Sequence, residues 1–186
     1  MQESDNILRI FEDAKVAIEK GDALKLKDLS NQTINTASRT QDPDNVAVAV
    51  IVYSIGKILE REHYKSMPGW KKFYDVVISS INNSIEDLRK NNEKKLRQDL
   101  ELIRNSIEKL SGNLKAYIRD VFRKASINKA SKIYEHGVSM EQTAKLLGIT
   151  MFELAGYAGQ SKTPDAPESM TLSAKDRIKL AMEMFG

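Results

Sequence analysis

Cysteine is absent from the 186 residues, which excludes disulfides, thiolate zinc sites, iron–sulfur clusters and cysteine nucleophiles. Only two histidines are present, too few for a histidine-rich metal centre. Proline occurs four times, at positions 43, 68, 164 and 167, and nowhere would it have to interrupt a long helical pattern. Apolar runs of about 18 residues are missing, and no basic-then-apolar leader opens the chain. The expectation is therefore no membrane span and a cytoplasmic location. HExxH, GxxxxGK[ST] and GxGxxG sequences do not occur, and no catalytic constellation stands out. No enzyme activity, cofactor or metal is expected.

What is present is 41% hydrophobic and 30% charged residues, a composition that folds. The length suits one domain, or one domain with a small appendage. The one β-branched run, 46–52, lies inside a longer helical pattern, so an all-α protein is predicted. Ile7, Phe11, Ala14 and Ile18 mark a first helix over 5–19, ended by Gly21. Leu26, Leu29 and Ala37 mark a second over 22–38. Asp42-Pro43 is a start signal for a third, running to about residue 62. Its first half, VAVAVIVYSI, is apolar nearly all round and reads as the central core helix. A fourth opens at Ser66-Met67-Pro68 and carries Tyr74, Ile78, Ile81, Ile85 and Leu88. After a polar turn at Asn91-Asn92 the stripe resumes with Leu96, Leu100, Ile103, Ile107 and Leu110, which predicts an antiparallel helical hairpin. The stripe continues through Leu114, Tyr117 and Val121. Ser111-Gly112 either bends that helix or only weakens it.

Charge is uneven along the chain. Residues 1–62 carry 8 basic and 11 acidic side chains, residues 63–114 carry 10 and 7, residues 115–162 carry 8 and 4, and the last 24 carry 3 and 4. The positive excess sits in the middle and beyond. It permits nucleic acid as a partner without demanding it.

The sharpest local signal is VSMEQTAKLLGITMFELAGYAG, residues 138–159. Ser139 with Gln142 and Thr150 with Glu153 have capping-box spacing. Two starts eleven residues apart predict a short helix, a tight turn at Gly148 and a second short helix. Ala144 is small where two helices would cross, and Leu147, Ile149 and Leu154 suit the wedge between them. Ala130, Ile133 and Tyr134 supply a preceding helix ended by Gly137. The organisation predicted is a helical bundle over 1–125, a helix-turn-helix unit over 126–160, and a linker with a tail helix over 161–186.

This segment resembles the helix-turn-helix of the family of DNA-binding regulators, with Ala144, Gly148 and Leu154 at the small, turn and core positions. Ile149 and Tyr157 match other apolar positions, while Thr143 is more polar than the usual residue. The resemblance covers roughly 22 residues. It implies that the second helix enters the major groove of double-stranded DNA and that two copies pair on two half-sites. The matching positions are Thr150, Met151, Phe152, Ala155 and Gly156. None is the Arg, Asn or Gln that makes bidentate base contacts. Met151 and Phe152 suit thymine methyls or a protein contact. Lys129, Lys132 and Lys145, with Arg119, Arg123 and Lys124, are candidate phosphate contacts, and Gln160 and Lys162 lie just beyond.

Pro164 and Pro167 mark a linker, after which Ile178, Ala181, Met182 and Phe185 line one side of a last short helix. Such a helix is marginal alone. It closes the protein's own bundle, or it docks on a symmetry mate or another protein. Two functions follow as expectations. One is a regulator that binds DNA mainly through backbone contacts. The other is a non-catalytic protein-interaction module, of which an antitoxin-like inhibitor is one form. It would meet its partner through Met151, Phe152, Ile178, Met182 and Phe185. The near neighbours Glu60, Glu62 and His63 read as a surface cluster, His136 as a cation at a helix C-terminus, and Trp70, Phe73 and Tyr74 as packing residues.

Overall fold

A computed structural model describes residues 3–147 and 150–158, and every regular element in it is helical. The elements are α1 (Ser4–Lys20), α2 (Ala23–Thr40), α3 (Pro43–Leu59), a 3-10 turn (Glu62–Ser66), α4 (Trp70–Arg89), α5 (Glu93–Glu108), α6 (Gly112–Glu135), α7 (Met140–Leu147) and α8 (Met151–Ala158). Local chemistry sets most of the boundaries. The Asp22 carboxylate accepts from Lys25 N at 2.9 Å, Asp42 from Asp44 N at 2.9 Å and Asn92 from Lys95 N at 3.3 Å. Each satisfies an amide that a helix start leaves orphaned. Gly21, at φ 68°, closes α1 in the left-handed conformation that glycine adopts without penalty.

The third helix is the centre. Val46, Val48, Ala49, Val50, Ile51, Val52, Ile55 and Ile58 are all buried, and α1, α2, α5, α6 and α7 all touch it. A helix apolar on every side can be desolvated only by neighbours on every side. The closest of these is α2. A Cβ built on Gly56 would stand 3.1 Å from Leu26 Cβ and 3.3 Å from the Ala23 carbonyl oxygen. Arg97 of α5 grips the N-terminus of α3, its Nε and Nη2 donating to Asp44 Oδ2 at 3.0 and 2.8 Å.

The predicted hairpin is present as α4 and α5, turned at Asn91 in the left-handed region (φ 53°), which Asn tolerates. The third helix ends at Leu59 rather than 62, and residues 62–66 form the 3-10 turn that leads to α4. At Ser111-Gly112 the chain leaves the helix altogether: α5 ends at Glu108, Gly112 has φ 58°, and α6 begins there. The boundary placed at 125/126 falls inside α6, which runs unbroken to Glu135. Ile133 and Val138 share an apolar cluster with Ile34, Ala37, Val46 and Ala49. The C-terminal helices are therefore seated on the bundle, α7 on α3 directly and both α7 and α8 on α6.

The α2–α3 approach is testable. Gly56→Val is expected to destabilise the fold by about 1–3 kcal/mol through overpacking against α2. Gly156→Ala, with nothing within 4 Å of the new methyl, is expected to be neutral or slightly stabilising. Urea midpoints at an unchanged slope measure both.

Candidate functional site

The first turn of α8 is fixed by a reciprocal capping box. Glu153 N donates to Thr150 Oγ1 at 3.1 Å, while Thr150 N and its hydroxyl each donate to Glu153 Oε2 at 2.9 Å. Those two donors, followed by Arg123, hold the Glu153 carboxyl below the usual carboxylate range. The start of α7 has half of such a box. Gln142 N donates to Ser139 Oγ at 3.2 Å, but the Gln142 side chain turns away and donates to Gln41 Oε1 at the end of α2. Both helices pack on α6 and on each other, with Ala144 and Leu154 buried. Thr143 is buried too, and its Oγ1 has no hydrogen-bond partner among the described residues. A buried hydroxyl left so costs about 1–3 kcal/mol, which is the consequence of the polar departure noted in the sequence.

Anchoring of α8 through Leu154 leaves Met151 52% and Phe152 87% exposed. Ala155 and Gly156 are exposed as well. The outward side of the helix is thus apolar and uncharged. Gly148, Ile149, Gln160, Lys162, Ile178, Met182 and Phe185 lie outside the described residues.

The basic side chains of α6 do not form a stripe. Arg123 pairs with Glu153 at 3.1 Å, Lys124 with Asp120 at 2.8 Å, and Arg119 and Lys115 both with Glu108. Lys145 of α7 is exposed and has no carboxylate partner among the described residues. Lys129, expected as a phosphate contact, is fully buried, and that expectation is corrected. Its position completes the inward row Ile118, Val121, Ala125 and Ile133 of α6, so packing carries it inside. There its Nζ donates to Asn31 Oδ1 at 3.1 Å and stands 4.2 Å from the centre of the Tyr53 ring. Lys132, half-buried, donates to the same Asn31 oxygen at 2.8 Å. One turn on, His136 Nε2 lies 3.2 Å from Asn35 Oδ1. The seam between α2 and α6 therefore sets lysines and a histidine against neutral amides. Burial first, then the charges of Lys132 and Lys27, push the Lys129 amine down to about 7.

The chain matches no protein-family model, no curated protein and no solved structure. Chemistry must therefore be argued from geometry alone. One further titratable pair was missed in the sequence. Asp87 of α4 and Asp99 of α5 are buried close to each other across the hairpin, where burial first and then Asp87 raise the Asp99 carboxyl while Asn83 opposes them. Both carboxyls line an open groove of ≈ 350 Å³ between α4 and α5. Among the described residues no three His, Cys, Asp or Glu side chains are grouped to hold a metal. Glu60 and Glu62 are tied to Lys57 and Lys65. Phe73 is buried, and the Trp70 ring stacks 5.8 Å from Tyr74.

The Lys129 site has a pH signature. Unfolded, the amine takes its ordinary value of 10.5; folded, it sits at about 7. Between these values the unfolded chain binds more protons, so stability rises with pH across that window and the penalty is complete below it. Lys129→Met is expected to stabilise the fold by a few kcal/mol at neutral pH. The wild-type-minus-variant difference should shrink towards pH 10.5, as read by urea unfolding at several pH values. A difference independent of pH would contradict the burial of a neutral amine.

Proposed function

We propose that the chain is a binding protein in which α7 and α8 act as a helix-turn-helix-type unit that offers α8 to a second protein. The observation that carries this reading is Phe152, 87% exposed beside Met151 on a helix start whose carboxylate and nearest arginine neutralise each other. Burying a phenylalanine of this exposure is worth about 1.5–3 kcal/mol, the scale of an interface hot spot. A phosphate backbone gains nothing from it, and base edges would meet no bidentate donor. In the antitoxin-like form of this reading, Ile178, Met182 and Phe185 of the C-terminal segment extend the contact.

Duplex DNA is the second reading. It is favoured by Lys145, exposed and lacking an acidic partner among the described residues, with Lys132 as a further phosphate donor, and it would use two copies of the chain. A photoreactive phenylalanine analogue placed at position 152, and in parallel at Leu102 on the far hairpin, separates the two in the native cell. The protein reading expects adducts at 152 that survive nuclease and are destroyed by protease, with none at 102. Adducts at 152 that nuclease removes would transfer the site to nucleic acid, and equal labelling at both positions would end its claim to be a site. Once the partner is in hand, Phe152→Asp is expected to weaken the complex by about 100-fold.

A further inference from the structure

We propose that Lys27, Lys132 and the Asn31 amide, backed by Lys129, form a receptor for a phosphate group in the seam between α2 and α6. This site is separate from the α8 face and does not depend on its reading. Two lysine amines converge on one amide oxygen, at 3.1 and 2.8 Å, which places the two nitrogens within about 6 Å of each other in a poorly solvated setting. Lys27 adds a third positive charge close enough to act on Lys129. The groups facing Lys129 are Tyr53 from α3, Lys27 and Asn31 from α2, and Lys132 on its own helix. Lys57, on the Tyr53 ring at 5.9 Å, is paired with Glu60. Among the described residues no carboxylate pairs with Lys27, Lys129 or Lys132, whereas the other basic residues of α6 each have one.

Such a cluster is short of negative charge, and its exposure leaves room to supply it. Lys27 is exposed, and Asn31 and Lys132 are half-buried, so an anion can reach their donors from solvent. The Asn31 oxygen is taken by the two lysines, while its Nδ2 has no partner among the described residues and can donate. A phosphate group carries about −1.5 to −2 charges and several acceptor oxygens at neutral pH, which suits the Lys27 and Lys132 ammonium groups and the Asn31 amide better than a carboxylate does. Lys129 itself stays covered. It acts by charge from behind Lys132, and a bound dianion favours its protonated form, so binding takes up a proton.

Calorimetry on the full chain tests this, with sulfate as a tetrahedral dianion that does not itself titrate and with inorganic phosphate, each against chloride at equal ionic strength. Saturable binding is expected, weakened about fivefold or more by Lys27→Gln and by Lys132→Gln. Sulfate affinity should fall about tenfold between about pH 6.5 and about pH 8.5. Lys129→Met should flatten that dependence while the protein stays folded. Labelled duplex DNA and single-stranded RNA identify the source. Binding lost in the same two variants assigns the group to a nucleic-acid backbone, and no such binding alongside retained sulfate binding assigns it to a free phosphate or phosphomonoester. No saturable binding of either anion up to ~50 mM, or binding unchanged in both glutamine variants, would overturn the site.

Discussion

Desolvating a helix that is apolar on every side is the requirement from which the rest of this architecture follows. Residues 46–52 of Pro43–Leu59 present no polar side chain to leave in water, and five other helices cover the helix that carries them. The tightest cover comes from α2, which is admitted because Gly56 has no side chain where Leu26 and Ala23 press in. The long helix α6 must then lie along both α2 and α3. Its inward row meets residues that α3 has already fixed, Tyr53 among them. The burial of Lys129 is thus a product of covering α3. An amine at a position that packing turns inward can be tolerated only by an amide oxygen, an aromatic face and partial loss of its proton.

The same helix sorts its charges by side. Away from α2, its basic residues meet Glu108, Asp120 and Glu153 and are neutralised. Towards α2 they meet Asn31 and Asn35 and are not. The net +4 of residues 115–162 therefore does not describe a uniform basic surface. It resolves into paired surface ions, which contribute little to stability, an exposed Lys145, and a partly desolvated seam in which Lys129 and Lys132 meet no carboxylate among the described residues. The α8 face is chemically its opposite: apolar and open, with its nearest ions, Arg123 and Glu153, paired to each other.

The sequence by itself determined the helices and their order. Periodic apolar positions and short-range caps act within a few residues: Asp42 and the Thr150–Glu153 box do locally what their spacing foretold, and Asp22 and Asn92 cap their helices by the same short-range chemistry. The all-round apolarity of 46–52 also made its central place legible before any neighbour was known. Lys129 carries a readable signal as well, a lysine in register with Ile118, Val121, Ala125 and Ile133, whose inward side packing then buries. Only the tertiary structure decided what depends on pairs distant along the chain. Asn31 meets Lys129 and Lys132 across about a hundred residues, Asp87 finds Asp99 only once the hairpin closes, and Leu154 anchors α8 so that Phe152 faces out. The physical reason is range. Backbone capping and helical period are settled by neighbours a turn away, whereas desolvation and charge pairing depend on which helices the burial of α3 brings together.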